Sequence, residues 1–221
     1  MSRADPRPHS LTNEESKVTT YTYDNENHQT SVEFAGEMTI KAYDAVGNLV
    51  SITKPKGNVR TMAYNGLKRL ITVVDDPGDQ THLNLTTRYQ YDANGNQTHQ
   101  YDAKGNHVEF IYDQLNRKTQ HIQHKATGSL VAGFGYDQEG NLAETTDPKN
   151  QRIAYTYDQL NRQTNAYYPY AASPFNQITR IYTEYDPNNN ITTIIETKTG
   201  QGGSTVTDTT VNHYDNFDRL D

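Results

Sequence analysis

Aspartate and histidine are the side chains in this sequence best placed to do chemistry. An aspartate directly follows a tyrosine at nine positions: Asp24, Asp44, Asp92, Asp102, Asp113, Asp137, Asp158, Asp186 and Asp215. Two such carboxylates brought together in a cleft could divide the work of general acid and general base. His121-x-x-His124 is the close histidine pair, and two imidazoles can begin a metal site. On a strand, however, positions three apart face opposite ways, so the pair reads as part of a solvated strand. Asn188-Asn189-Asn190 and the D-x-N-G-N run at 92–96 share features with a calcium loop, yet no carboxylate stands where the bidentate twelfth ligand belongs. No G-x-S-x-G, phosphate loop, H-E-x-x-H or EF-hand pattern is present. An aspartate that recurs at every turn signal serves the fold before it serves a reaction. The sequence therefore reads as non-enzymatic, with no catalytic residue, no metal and no cofactor.

The elements that carry these aspartates repeat, and repetition has to be settled before any other reading. From Tyr91 to Arg117 the sequence runs Y-D-A-N-G-N-Q-T-H-Q-Y-D-A-K-G-N-H-V-E-F-I-Y-D-Q-L-N-R. Tyr43 and Tyr64, Tyr91 and Tyr112, and Tyr136 and Tyr157 are each 21 residues apart. The first tyrosine of each pair is followed by Gly-Asn, at Gly47, Gly95 and Gly140, and the second by x-Leu-x-Arg, ending at Arg69, Arg117 and Arg162. Asp-x-x-Gly is turn chemistry: the carboxylate accepts backbone N–H groups, and Gly or Asn takes positive φ at low cost. Between turns lie short β-branched and aromatic runs such as 49–53 and 107–112. Such runs, with turn signals every 8–12 residues, predict an all-β chain. Aromatics two apart, as in Phe110/Tyr112 and Tyr155/Tyr157, share one strand face. A 21-residue unit is then two strands and two turns, a hairpin. The predicted structural turn residues are Tyr43, Asp44, Gly47, Tyr91, Asp92, Gly95, Tyr112, Asp113, Arg117, Tyr136, Asp137, Gly140, Tyr157, Asp158 and Arg162. The arginines are expected to pair with a neighbouring turn aspartate.

Composition bounds the rest. Apolar residues make up 33%, mean hydropathy is −0.96 and net charge is −7, values that would suggest disorder without the 17 tyrosines. Tyrosine buries a ring while keeping its hydroxyl wet, so a thin sheet with two largely hydrated faces resolves the conflict. The acidic balance argues against nucleic acid, whose phosphates call for clustered Lys and Arg. The chain contains no cysteine, which excludes disulfides and thiolate chemistry. No signal peptide is visible in Met1–Lys17, and no apolar run approaches the ~20 residues of a membrane span. Residues 1–17 are expected to be a flexible lead or an expression remnant, and 18–221 a repeat segment cut from a longer protein. Thr197–Thr210 reads as a mobile hairpin tip. Residues 167–177, Y-Y-P-Y-A-A-S-P-F-N-Q, read as an aromatic loop over the sheet, with Tyr167, Tyr168 and Tyr170 as candidate sugar-stacking residues.

The repeated Y-D-x-x-G-N at 21-residue spacing resembles the Rhs or YD repeat family, and the match runs from about residue 21 to 219. That resemblance implies a fold of consecutive antiparallel β-hairpins in a curved sheet ribbon that closes into a hollow shell, as in bacterial toxin complexes, Rhs polymorphic toxins and teneurins. It implies a non-catalytic role in sequestering a toxin or other cargo. It also implies an exported, secreted or cell-surface location. The expected partners are the remainder of the parent chain and the enclosed polypeptide. Self-association through open sheet edges, and glycan binding at a cell surface as a competing function, complete the expectations. The family's self-cleaving aspartate–proline segment is not carried over, because Asp147-Pro148 and Asp186-Pro187 lack its surrounding motif.

Overall fold

The computed structural model describes residues 9–78, 82–168, 178–200, 204–215 and 217–220. The chain divides into two compact units, Met1–Val108 and Glu109–Asp221. The first unit holds β1 (Ser10–Thr12), β2 (Val18–Tyr23), β3 (Gln29–Phe34), β4 (Glu37–Tyr43), β5 (Leu49–Thr53), β6 (Val59–Tyr64), β7 (Leu70–Asp75), β8 (Leu85–Tyr91) and β9 (Gln97–Tyr101). β10 (His107–Tyr112) spans the boundary. The second unit continues with β11 (Lys118–Lys125), β12 (Gly128–Tyr136), β13 (Leu142–Thr146), β14 (Arg152–Tyr157), β15 (Gln163–Tyr167), β16 (Ile178–Tyr185), β17 (Ile191–Thr199) and β18 (Thr205–Val211). Within each unit every strand pairs antiparallel with the next in sequence, from β1 to β9 and from β11 to β18. The fold is all-β, a succession of hairpins, and the described residues include no helix.

This architecture follows from short strands that cannot hide a face. A lone hairpin is marginal in water, and each one here gains stability from the neighbours on either side. Among the described residues only Ala166, 2% exposed, is fully buried. The rest is half-buried or exposed: all five residues of β13 and all nine of β17 are half-buried, and all seven of β18 are exposed. Stability is therefore spread along the ladder instead of being concentrated in a core.

A local irregularity recurs where strands meet the tyrosine turns. The register shifts between Thr22 and Tyr23, Ala42 and Tyr43, Ala63 and Tyr64, and Gln90 and Tyr91 in the first unit. The same shift falls between Gly135 and Tyr136, Thr156 and Tyr157, and Glu184 and Tyr185 in the second. A bulge of this kind bends the strand and re-aims one side chain, and the side chain it re-aims is always the tyrosine ahead of the turn.

Two stretches differ from the sequence reading. Within the lead expected over 1–17, Ser10–Thr12 forms β1 against β2, and Asn13 closes the intervening turn by accepting the N–H groups of Glu15 and Lys17. An Asn doing an Asp's work without a preceding tyrosine left no signature there. The hairpin tip expected over Thr197–Thr210 is mostly paired strand: β17 and β18 match from Thr193 with Val211 to Thr199 with Thr205. Its threonines are β-branched and favour the extended backbone, which outweighs their polarity. No helix among the described residues is long and apolar enough to cross a membrane.

Candidate functional site

In a chain of consecutive hairpins, alternate turns fall at the same strand ends. In the first unit one margin collects the turns 24–28, 44–48, 65–69 and 92–96. In the second, one margin collects 113–117, 137–141, 158–162, 186–190 and 215–219. The turns at 102–106 and 147–151 lie at the opposite ends, so the Tyr101–Asp102 signature does not belong with the others. These two tyrosine–aspartate margins are where the repeated polar chemistry of the chain is gathered.

One turn shows the build. Asp44 N–H donates to the Asn48 carbonyl at 2.9 Å, and Gly47 N–H donates to the Asp44 carbonyl at 3.0 Å. Asp44 Oδ1 accepts the Val46 and Asn48 N–H groups at 3.0 and 2.8 Å, and Oδ2 accepts Asn48 Nδ2 at 2.8 Å. Gly47 sits at φ +85°, the left-handed region that Gly enters without strain. In the margin turns that open with aspartate the fifth residue supplies a donor to Oδ2: Asn96, Asn141 and Asn190 through Nδ2, Arg117, Arg162 and Arg219 through Nε at 2.7–2.8 Å, and His28 through Nδ1. Arg117, Arg162 and Arg219 thus bond the carboxylate of their own turn. Arg69 and Arg162 reach the next turn through its backbone, donating to the carbonyls of Asp92 and Asp186 at 3.1 and 2.8 Å, and Arg162 also donates to Asn189 Oδ1 at 3.1 Å.

Two further links tie one turn to the next. The guanidinium carbons of Arg69, Arg117 and Arg162 lie 5.0, 4.6 and 4.7 Å from the ring centres of Tyr91, Tyr136 and Tyr185, and His28 stacks on Tyr43 at 4.6 Å. Each such cation–π contact contributes about 0.5–1 kcal/mol at an exposed site. The tyrosine hydroxyls then donate backwards, each to the carbonyl of the residue that follows the preceding turn of its margin. Tyr43 bonds Gln29, Tyr64 bonds Leu49 and Tyr91 bonds Leu70. Tyr136 bonds Lys118, Tyr157 bonds Leu142, Tyr185 bonds Gln163 and Tyr214 bonds Ile191. The partner lies 14–23 residues back in sequence, beyond the reach of any local motif.

The electrostatics run against catalysis by these aspartates. Donation from the Asn48 side chain and backbone holds Asp44 below the ordinary carboxylate value. The Asn side chain of the fifth position does the same at Asp92, Asp102 and Asp186. The backbone of Arg117 and of Arg162 leads at Asp113 and Asp158, and the Arg219 side chain leads at Asp215. A carboxylate depressed in this way is a poor proton acceptor at neutral pH and cannot serve as a general acid there. Each one is also engaged by its own turn, so no two of them converge on a shared point.

The remaining candidates are dispersed. His121 stacks on Phe110 at 5.2 Å, while His124 pairs with Glu109 at 3.0 Å and Ser129 at 3.1 Å. No group of three or more metal-ligating side chains gathers among the described residues. Tyr112 closes β10 immediately ahead of the Asp113 turn. Tyr167, 38% exposed, pairs with Arg180 in register, and the Arg180 guanidinium lies between the Tyr167 and Tyr182 rings at 5.5 and 5.1 Å. Tyr168 instead lines a cleft of about 290 Å³ with Phe134, Pro148 and Ile153, and burial raises its hydroxyl pKa. Adjacent residues of an extended chain point to opposite faces, so Tyr167 and Tyr168 do not share one sugar platform. Tyr170 lies outside the described residues.

The RHS Repeat family profile matches residues 43–81, 91–128 and 136–172. No curated protein matches the chain significantly. Among solved structures it is similar to TcdB2-TccC3-Cdc42, with TM-score 0.68 and 18% identity over 92% of this chain and 12% of that one. It is likewise similar to TcdB2-TccC3 without its hypervariable C-terminal region, with TM-score 0.69, 16% identity and the same coverage. A third likeness is the Tc holotoxin pore of Photorhabdus luminescens in a TccC3 mutant form, with TM-score 0.68 and 18% identity over 92% of this chain and 11% of that one. The chain therefore spans only 11–12% of the length of these structures.

Proposed function

This chain belongs to the RHS repeat family, and from that membership we propose that it is a non-catalytic wall segment of an encapsulating β-shell. Its partners in this reading are further shell from its own parent chain and the polypeptide enclosed, a toxin or other cargo of an exported protein. Residues 18–221 form the repeat segment. The carrying observation is the pair of tyrosine–aspartate margins, where carboxylates, arginines and tyrosine hydroxyls are spent on joining one hairpin to the next. Such stapling makes a wall that extends by repetition and needs no thick core, the property an enclosure requires. The likeness of the fold to TcdB2-TccC3 assemblies supports the same reading.

Limited proteolysis of the parent polypeptide tests it. The enclosed segment is expected to resist trypsin at neutral pH and to become cleavable by pepsin once the wall is opened by acid. Digestion of that segment as fast as the isolated, unfolded peptide would reject an enclosing role.

A glycan-binding reading draws support from one surface only, the exposed Tyr167 beside Arg180 and Tyr182. Selective binding on a glycan array, lost with Tyr167→Ala and kept with Tyr168→Ala, would favour it over the wall.

A further inference from the structure

One turn of the first margin departs from the pattern in a way that carries chemistry. Tyr64 is followed by Asn65-Gly66 where the other tyrosines of the margins are followed by aspartate. Asn65 folds the turn as an aspartate would: its Oδ1 accepts the N–H groups of Leu67 and Arg69, both at 3.0 Å. The difference appears at the second side-chain atom. In the turns of Arg117, Arg162 and Arg219, the arginine Nε donates to the aspartate Oδ2. Here the amide nitrogen of Asn65 occupies that place, a donor facing a donor, and Arg69 Nε is buried with no partner. A buried donor left unsatisfied is costly.

We propose that Asn65 is a self-modifying site, which loses its amide by intramolecular deamidation and so becomes the aspartate that Arg69 lacks. The backbone nitrogen of Gly66 attacks Asn65 Cγ, forming a C–N bond and giving up its proton to water, and the side-chain nitrogen leaves as ammonia. Water then adds to Cγ of the resulting succinimide, breaks the new C–N bond and leaves a carboxylate on an intact peptide chain. The sum is amide plus water giving carboxylate plus ammonium, and it needs no other reactant.

The local structure favours both steps. Gly66 has no Cβ to obstruct the approach, and a Cβ built there would meet nothing within 4 Å. Its N–H is not among the donors that the turn consumes. The two backbone N–H groups on Oδ1 stand where negative charge develops as Cγ becomes tetrahedral, the arrangement of an oxyanion hole. They polarise Cγ again in the second step, directing water there and not to the backbone carbonyl, so the product keeps the normal peptide linkage. Asn94-Gly95 supplies an internal comparison. It is the same dipeptide in the next turn of the margin, but Gly95 N–H is held by the Asp92 carbonyl at 3.2 Å and Gly95 is locked at φ +93°.

Ageing the whole chain at mildly alkaline pH, followed by peptide mass spectrometry with fragmentation that separates the two aspartyl isomers, tests this directly. The Asn65 peptide is expected to gain one mass unit several-fold faster than the Asn94 peptide, with the normal aspartyl isomer in excess, and Gly66→Ala to suppress the gain. Asn65→Asp is expected to raise Tm by about 2–4 °C as Arg69 Nε acquires its acceptor, and to leave Tm unchanged when combined with Arg69→Met. Equal rates at Asn65 and Asn94, an isoaspartyl majority, or a Tm that Asn65→Asp fails to raise would each overturn the proposal.

Discussion

Acidification is expected to unfold this protein in a narrow range below about pH 4, with little change in stability from pH 7 to pH 5. The sign follows from the turn aspartates. Asp44, Asp92, Asp102, Asp113, Asp158, Asp186 and Asp215 are all held below the ordinary value of 3.8 in the folded chain. Between the folded and unfolded values the unfolded chain binds more protons, so stability rises with pH there. The contribution is complete above 3.8 and is lost as pH falls through the folded values. Each carboxylate is half-buried or exposed and contributes little alone, but protonation strikes the aspartate turns of both margins together, and a ladder of thin hairpins has no core to fall back on. Far-UV circular dichroism melts from pH 7 to pH 2.5 check this, and a Tm that holds across that range would refute it. Replacing Asp158 separates acceptor from charge. Asp158→Asn should keep the turn, as Asn13 and Asn65 do, lose part of the acid response, and lower Tm at neutral pH by about 2–4 °C because Arg162 Nε loses its acceptor. Asp158→Ala, which removes the turn's acceptor for the backbone N–H groups as well, should lower Tm further.

The turn chemistry was the most legible part of the molecule, because an aspartate and the two N–H groups it accepts lie within four residues of one another. The strands followed from it, since turns placed every ten or so residues leave room for little else. What could not be read was anything joined across the ladder. Arg162 stood out in the sequence as the end of an x-Leu-x-Arg run, and pairing with a neighbouring turn was expected. Its carboxylate partner is the aspartate four residues back, while the next turn offers it a backbone carbonyl and a tyrosine face more than 20 residues on. The tyrosine hydroxyl bonds were hidden for the same reason. Their acceptors are main-chain carbonyls, which no residue type marks, and the bulge that aims each tyrosine is a property of strand pairing. Tyr167 and Tyr168 point to opposite faces because neighbours in an extended chain diverge, a rule that the sequence already contained. In the sequence Asn65 carries no signal beyond standing where the other margin turns have aspartate, and only the orphaned Arg69 Nε gives it a consequence.

Removing a single margin tyrosine is expected to cost more than any other single side-chain change at a turn, and Tyr157 is the position to test. Its hydroxyl donates to the Leu142 carbonyl at 2.8 Å, and burial, ahead of the nearby Asp137 and Tyr155, raises its pKa. Tyr157→Phe keeps the ring and loses one hydrogen bond, which costs about 0.5–1.5 kcal/mol. Tyr157→Ala also removes the ring from a sheet with almost nothing else to bury. A fully buried aromatic costs about 3–5 kcal/mol on truncation to Ala, and a half-buried ring here should cost roughly 2–4 kcal/mol. For a chain of this size each kcal/mol shifts Tm by about 2–4 °C, so the Ala variant should melt about 5–15 °C lower and the Phe variant about 2–5 °C lower. Because the hydroxyl spans two successive turns of the margin, hydrogen exchange should quicken in both variants at the start of β13, 15 residues back in sequence from the substituted residue. An Ala variant that melts with the parent would mean that the tyrosines decorate the margin without joining it, and the staple account of this wall would fail with it.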